Sequence, residues 1–334
     1  MPPKVQTVGV IGPAGFGGSH LCLELIQRGH RVVGISRHPE RLGEHPSYTP
    51  RAVDLDTVTT AGLAEAFNGL DAVVSEYAPH TPGPGPLQYS KPTIPAFRRK
   101  THRETVRLRQ HAVTFLEVVR KIVLAVQWAQ VPYFVFVGGG GSLHVPGTAP
   151  PECLVDDPDF FVAYRRALAD SEAHVRYMEE RLGPLVASLR TYREARCAVR
   201  AGAATTEQKA FVDSFEQSRR DGNDEARDFI RAARTAYMFF AGNTSFSWSF
   251  VSPSPMYRPG KRTGQYQASI DEVPLLDATG VDSGNRFDGR LPGISVADLA
   301  IAIADEVEAR RYVHRHWTAV GELDDTPSPS YVRL

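Results

Sequence analysis

The chain has 334 residues, and at about 150 residues per domain that length predicts one or two domains. Its 42% hydrophobic and 23% charged fractions are those of a globular protein and exclude a disordered or low-complexity scaffold. Thirty-eight basic residues balance thirty-eight acidic ones, so no net field directs the chain to nucleic acid or to anionic lipid.

In chain order, the first half alternates strand-like and helix-like runs. Strands are expected at 5–11, 31–36, 51–54, 72–75 and 133–137, with helices at 17–28, 60–67 and 101–129. Apolar strands separated by helices give a parallel sheet covered on both faces, a doubly wound α/β fold of Rossmann type. The apolar helix around 113–129 carries Glu117, Arg120 and Lys121, which marks a core-facing helix and not a membrane span. Between Ala78 and Pro95 the text APHTPGPGPLQYSKPTIP is a surface segment, either a plain connection or a rim of the active site. About four helices follow from Asp159 to Gly242, with breaks at Gly183-Pro184, Gly202 and Gly222. Strand-like text returns in SFSWSFVSPSPMY, and a helix at 296–309 precedes a last strand, HRHWTAVG. The division expected is a nucleotide-binding core at 1–158, a helical insertion or lid at 159–245, and a substrate region at 246–334 that completes the α/β fold.

Three cysteines, Cys22, Cys153 and Cys197, are too few and too scattered for a disulfide framework or a zinc site. The histidines show no consistent spacing with acids, so no metal is expected. A reduced setting, and an opening MPPKVQTVGVIG without the apolar stretch and cleavage site of a signal peptide, make a cytoplasmic location the expectation.

The strongest motif is GPAGFGG, directly after the first strand and opening the first helix. Gly12 lets the chain turn, Gly15 lets a pyrophosphate approach the backbone, and Gly18 lets helix pack on strand. Phe16 and Gly17 complete the loop expected to hold the cofactor. An enzyme that prefers NAD places an acid about twenty residues further on, for the ribose 2′-hydroxyl. Here that place reads Ile35-Ser36-Arg37-His38. An arginine forks onto a 2′-phosphate and a serine adds a hydrogen bond, so the expected cofactor is NADP(H). Asp54 either meets the adenine edge or caps a helix. After the fifth strand, Gly138 to Gly141 leave backbone open toward a nicotinamide or substrate, with Gly138 and Gly139 in the cofactor set, and Ser142 supplies a hydroxyl for a carbonyl.

These segments resemble the NmrA-like branch of the atypical short-chain dehydrogenase/reductase superfamily, of the type found in fungal natural-product pathways. The matching text is GVIGPAGFGGSHL, GISRHPERL and FVGGGGSL, then FVSPSPMYRPGKRTGQYQ and GISVADLAIAIADEVE. The resemblance covers about 5–170 and 240–322 and implies a Rossmann core binding NADP(H) beside a smaller substrate region.

Two departures stand out. The superfamily's Tyr-x-x-x-Lys pair is replaced by Tyr164-Arg165-Arg166-Ala167-Leu168, so no lysine is present to activate the tyrosine. The chain also adds roughly fifty residues of helix after Tyr164, expected to roof the substrate pocket away from the cofactor loop or to form an oligomer surface. Tyr164, Arg166, Asp170 and Ser142 are the catalytic candidates, with Arg166 and Asp170 at a spacing that suits an ion pair along one helix.

The function expected is an NADP(H)-dependent oxidoreductase reducing a carbonyl, imine or iminium of a bulky apolar small molecule, in secondary metabolism. The rivals are an NADP(H)-bound cyclase, closing a ring as in a Diels–Alder cycloaddition, and a non-enzymatic redox sensor. A homodimer is compatible with the sequence.

Overall fold

A computed structural model describes residues 4–78, 102–224, 227–277, 284–326 and 328–334, with the backbone alone at 102–111 and 184–185. From the amino terminus the chain forms β1 (Thr7–Ile11), α1 (Phe16–Gln27), β2 (Arg31–Ser36) and β3 (Tyr48–Ala52). Then come α2 (Thr60–Ala66), β4 (Ala72–Ser75), α3 (His102–Trp128) and β5 (Phe134–Val137). Helices α4 (Phe160–Asp170), α5 (Glu172–Leu182), α6 (Ala187–Arg200), α7 (Thr206–Arg220) and α8 (Arg227–Ala236) follow in succession. The last elements are β6 (Trp248–Val251), β7 (Met256–Arg258), β8 (Gln267–Ile270), β9 (Gly293–Ser295), α9 (Val296–Ala309) and β10 (Arg315–Val320).

Among the described residues eight strands make one sheet in the order β3-β2-β1-β4-β5-β6-β10-β8, and β7 pairs with β9 in a separate ribbon. The inner strands read as unbroken apolar runs because helices cover both faces. On one face Leu63, Phe115, Ile122 and Ala233, from α2, α3 and α8, pack on Phe134, Phe136 and Phe250. On the other, Leu21, Leu25, Leu299 and Ile303, from α1 and α9, pack on Val8, Val10, Val135 and Trp317. A third cluster, with Phe160, Phe161, Leu189, Tyr192 and Phe215, is the core of the helical region. Among the described residues no helix is long and apolar enough to cross a membrane.

The doubly wound α/β reading holds, and three local readings are corrected. β3 begins at Tyr48 and not at Arg51, because the chain joins the sheet edge earlier through Val32 opposite Tyr48. The run from Tyr164 to Gly183 is two helices and not one. Ser171 is extended, at φ −104° and ψ 117°, and its side chain accepts from the His174 N–H at 3.0 Å, which starts α5 afresh. β8 was not expected, since its text is mostly exposed and lacks a strand's apolar alternation. Antiparallel pairing with β10, from Trp317 opposite Ile270 to Val320 opposite Gln267, forms it. The Pro-rich surface segment lies outside the described residues apart from Ala78, at its start.

Candidate functional site

The strand order reverses between β1 and β4, and in open α/β sheets the crevice at that reversal is where ligands bind. The glycine loop stands there. Gly12 turns the chain off β1 at φ +82°, in the left-handed region, and its N–H donates to Ile35 O at 3.0 Å. The N-cap of α1, Gly15, contributes no side-chain hydrogen bond, so the first-turn amides are left to an anion. A Cβ at Gly18 would lie 2.9 Å from the Gly12 carbonyl carbon, and one at Gly17 2.7 Å from Glu76 Cδ. This cradle, which side chains would fill, fits a dinucleotide's pyrophosphate.

At the ribose end, Ser36 is half-buried and its carbonyl accepts from Val53 N at 2.8 Å, while Arg37 is exposed. Tyr77 stands near Arg37, Asp54 and Asp56. Burial, helped by Asp56 and opposed by Arg37, pushes its phenol up to about 12. The helix-cap alternative for Asp54 is excluded, since α2 is capped by Thr59, which accepts from Gly62 N at 3.1 Å. Asp54 Oδ1 instead accepts from Asp56 N, also at 3.1 Å.

After β5, the glycine run packs closely against its neighbours, while Gly138, Gly139 and Gly140 stay half-buried. A Cβ at Gly138 would strike the Phe250 ring, one at Gly140 would lie 2.7 Å from Pro253 O, and one at Gly139 3.3 Å from the Ala233 Cβ on α8. Ser142 is 2% exposed, and among the described residues its Oγ has no hydrogen-bond partner. A buried hydroxyl left over at a strand's carboxyl end is what a substrate oxygen or nitrogen can use.

The other catalytic candidates are engaged elsewhere. The Tyr164 ring stacks on Phe160 at 5.5 Å, and burial raises its phenol, with Arg165 opposing. Arg166 does not pair with Asp170 along α4. It forks onto Glu216 of α7 and reaches Asp288 at 2.7 Å, while Asp170 takes Arg196 at 3.0 Å and Arg200 at 2.8 Å from α6. Both candidates lie in inter-helix ion pairs, because the faces of α4 meet α6 and α7 and a carboxylate bridged by two guanidiniums outcompetes a neighbour one turn away.

Sequence reasoning missed Glu76 and an aromatic cluster over the loop. Phe16 packs against Tyr177 at 4.4 Å, Tyr257 at 5.0 Å and Tyr331 at 6.4 Å between ring centroids. Burial holds the Tyr257 phenol well above its ordinary range and pushes Tyr177 up to about 12, so both stay protonated at neutral pH. Arg181 donates to the Tyr177 hydroxyl at 3.0 Å. The closing segment crosses α1 beside them, with Val332 N donating to Ser19 Oγ at 3.4 Å and Leu334 N to Leu42 O at 2.9 Å. The expectation that the helical insertion lies apart from the cofactor loop is therefore corrected, since α5 carries Tyr177 onto Phe16. The convergence of these rings on one loop comes from long-range packing that local text does not show.

A family model described as NAD(P)H-binding matches residues 12–180, from the first loop glycine through most of α5. Over 318 residues the chain is 23% identical to the uncharacterized protein YwnB of Bacillus subtilis (strain 168), covering 95% of this chain and 99% of that protein. Among solved structures, an epimerase candidate from Bacteroides thetaiotaomicron is similar at a TM-score of 0.58 and 22% identity, covering 96% of this chain and 99% of that one. An NADH-flavin reductase candidate from Streptococcus pneumoniae TIGR4 is similar at 0.54 and 19%, covering 95% and 100%. At these identities the likeness to the solved structures is one of fold. Matched by the family model over about half its length, and folded around the glycine loop where that match begins, the chain belongs to the NAD(P)H-binding family.

Proposed function

We propose that the chain is an NADP(H)-dependent oxidoreductase of the NmrA-like branch, reducing a carbonyl, imine or iminium of a bulky, largely apolar small molecule. The observation that carries this is the uncapped glycine cradle at the strand reversal, roofed by Phe16, Tyr177 and Tyr257. The names of its fold relatives, an NADH-flavin reductase candidate among them, support redox chemistry. When bound, the reduced nicotinamide supplies hydride. The chain's part is to seat the nucleotide, exclude water with the aromatic cluster, and orient the substrate through the Ser142 hydroxyl. Tyr164 keeps its proton, since burial raises its phenol, and packs on Phe160 in the helical core. Arg166 and Asp170 hold α4 against α6 and α7.

NADP(H) is favoured over NAD(H) because the exposed Arg37, beside Ser36, stands where an NAD enzyme keeps its ribose-binding acid. Replacing Arg37→Asp should move the preference toward NAD(H) by about 1–3 kcal/mol, the scale of a charge-assisted hydrogen-bond pair. Titrating both nucleotides into wild type and variant checks this, and equal affinities in the wild type would refute it. The reaction is tested by incubating the protein and NADPH with lipophilic ketones and imines, following nicotinamide absorbance and product mass together. Loss of absorbance with a gain of two hydrogens supports the reductase. An isomeric product without NADPH loss rejects it.

A further inference from the structure

Glu76 follows β4 at the strand reversal, and its side chain lies back over the first turn of α1. Its N–H donates to Ile11 O at 3.0 Å, and its own carbonyl lies 3.2 Å from where a Gly12 Cβ would stand. A Cβ on Gly17 would lie 2.7 Å from the carboxyl carbon. The carboxyl therefore lies against the first turn of the uncapped helix, beside the place where a dinucleotide's pyrophosphate comes down in this fold. An ionised carboxylate and a pyrophosphate repel each other there. A neutral carboxyl does not.

We propose that the dinucleotide seats only on protonated Glu76, so that wherever the free carboxyl is ionised each NAD(P)H bound carries a proton in with it. The inference rests on nucleotide binding at the glycine loop and is independent of which substrate is reduced.

The surroundings agree. Among the described residues no lysine or arginine forms an ion pair with Glu76, and burial pushes its carboxyl up to about 7. From α1 it faces Cys22, whose thiol burial and then Glu76 hold well above its ordinary value. From β7 it faces Tyr257, raised by burial and then by Glu76. His20 of α1 is lowered by burial, and Tyr177 of α5 is pushed up to about 12. Burial keeps Tyr177 and the two groups facing Glu76 protonated near neutral pH and holds His20 below its ordinary value, so Glu76 is the one of these five that is raised into that range.

NADH is the probe, because it lacks the 2′-phosphate and so leaves Arg37 and His38 out of the comparison. Its affinity is measured from about pH 6 to about pH 9, by nicotinamide fluorescence and by calorimetry in buffers of different ionisation enthalpy. Wild type should bind with constant affinity below about pH 7 and weaken by up to about tenfold per unit above it, taking up close to one proton. Glu76→Gln should bind with the low-pH affinity at every pH, with no uptake. A flat profile without proton uptake in the wild type, or the same slope in Glu76→Gln, would overturn the proposal. Absence of NADH and NADPH binding at every pH would overturn nucleotide binding itself, a distinct result.

Discussion

Gly15 and Gly18 stand three residues apart in one loop and should answer differently to an added methyl group. A Cβ at Gly18 meets backbone, with the Gly12 carbonyl carbon at 2.9 Å, whereas at Gly15 it would meet Gly12 O at 3.1 Å and, among the described residues beyond its chain neighbours, nothing else within 4 Å. Gly18→Ala should cost about 1–3 kcal/mol of stability by overpacking. Gly15→Ala should cost less stability and more nucleotide affinity, because the exposed face of the loop is where the ligand approaches. Denaturant midpoints and NADPH titrations separate the two, and equal destabilisation would count against this reading of the loop. The glycines were legible because their spacing carries a mechanism. Glu76 was not, because nothing around it forms a motif. Its place over α1 comes from the pairing of β1 with β4, Val8 opposite Ala72 and Ile11 opposite Ser75, a long-range fact that no local text encodes.

The helical region shows the same limit one level up. Helix text from Asp159 onward was plain, but the partners of its charges were not. Arg166 and Asp170 fit an intrahelical pair by spacing, and the fold gives each of them partners on other helices instead. Glu216 gathers the largest share, accepting from Arg166 and from the Tyr192 hydroxyl at 2.6 Å. Burial alone would raise its carboxyl. The hydrogen bonds from Arg166 and Tyr192 outweigh that and hold it below its ordinary value. A depressed carboxyl stabilises the fold above the unfolded value of about 4.3, and that contribution is lost as pH falls through the folded one. Glu216→Gln should therefore cost up to about 3–5 kcal/mol at neutral pH, the range for breaking a buried pair. The gap from wild type should narrow in acid. Urea melts at both pH values check this, and a gap that stays constant would mean the charge of Glu216 adds nothing.

For the whole molecule, the order of the first five strands was legible from their alternation with helices. The places of β6 and β10 within the sheet were not, because about a hundred residues of helix and loop separate β5 from β6 in sequence. The closing segment was not legible either. Asp325 accepts from the Glu172 and Ala173 N–H groups at 3.0 and 3.1 Å and so helps to start α5, and Tyr331 lies against Phe16. Ending the chain after Glu322 should lower the melting temperature and weaken NADPH binding together, at about 1 kcal/mol for each hydrogen bond lost. Thermal melts with and without nucleotide test this, and a truncated chain that binds as wild type would free the loop from the segment.

The bond between Val332 and Ser19 spans 313 residues of chain. On the ribosome, the glycine loop is made about three hundred residues before its cover. Until then the nascent chain holds an open loop, and a bound dinucleotide lends it little help. Rescue of folding by nucleotide thus belongs to a chain whose cover has emerged, and a product stalled or shortened before it stays exposed to proteases and to aggregation however much nucleotide the cell holds.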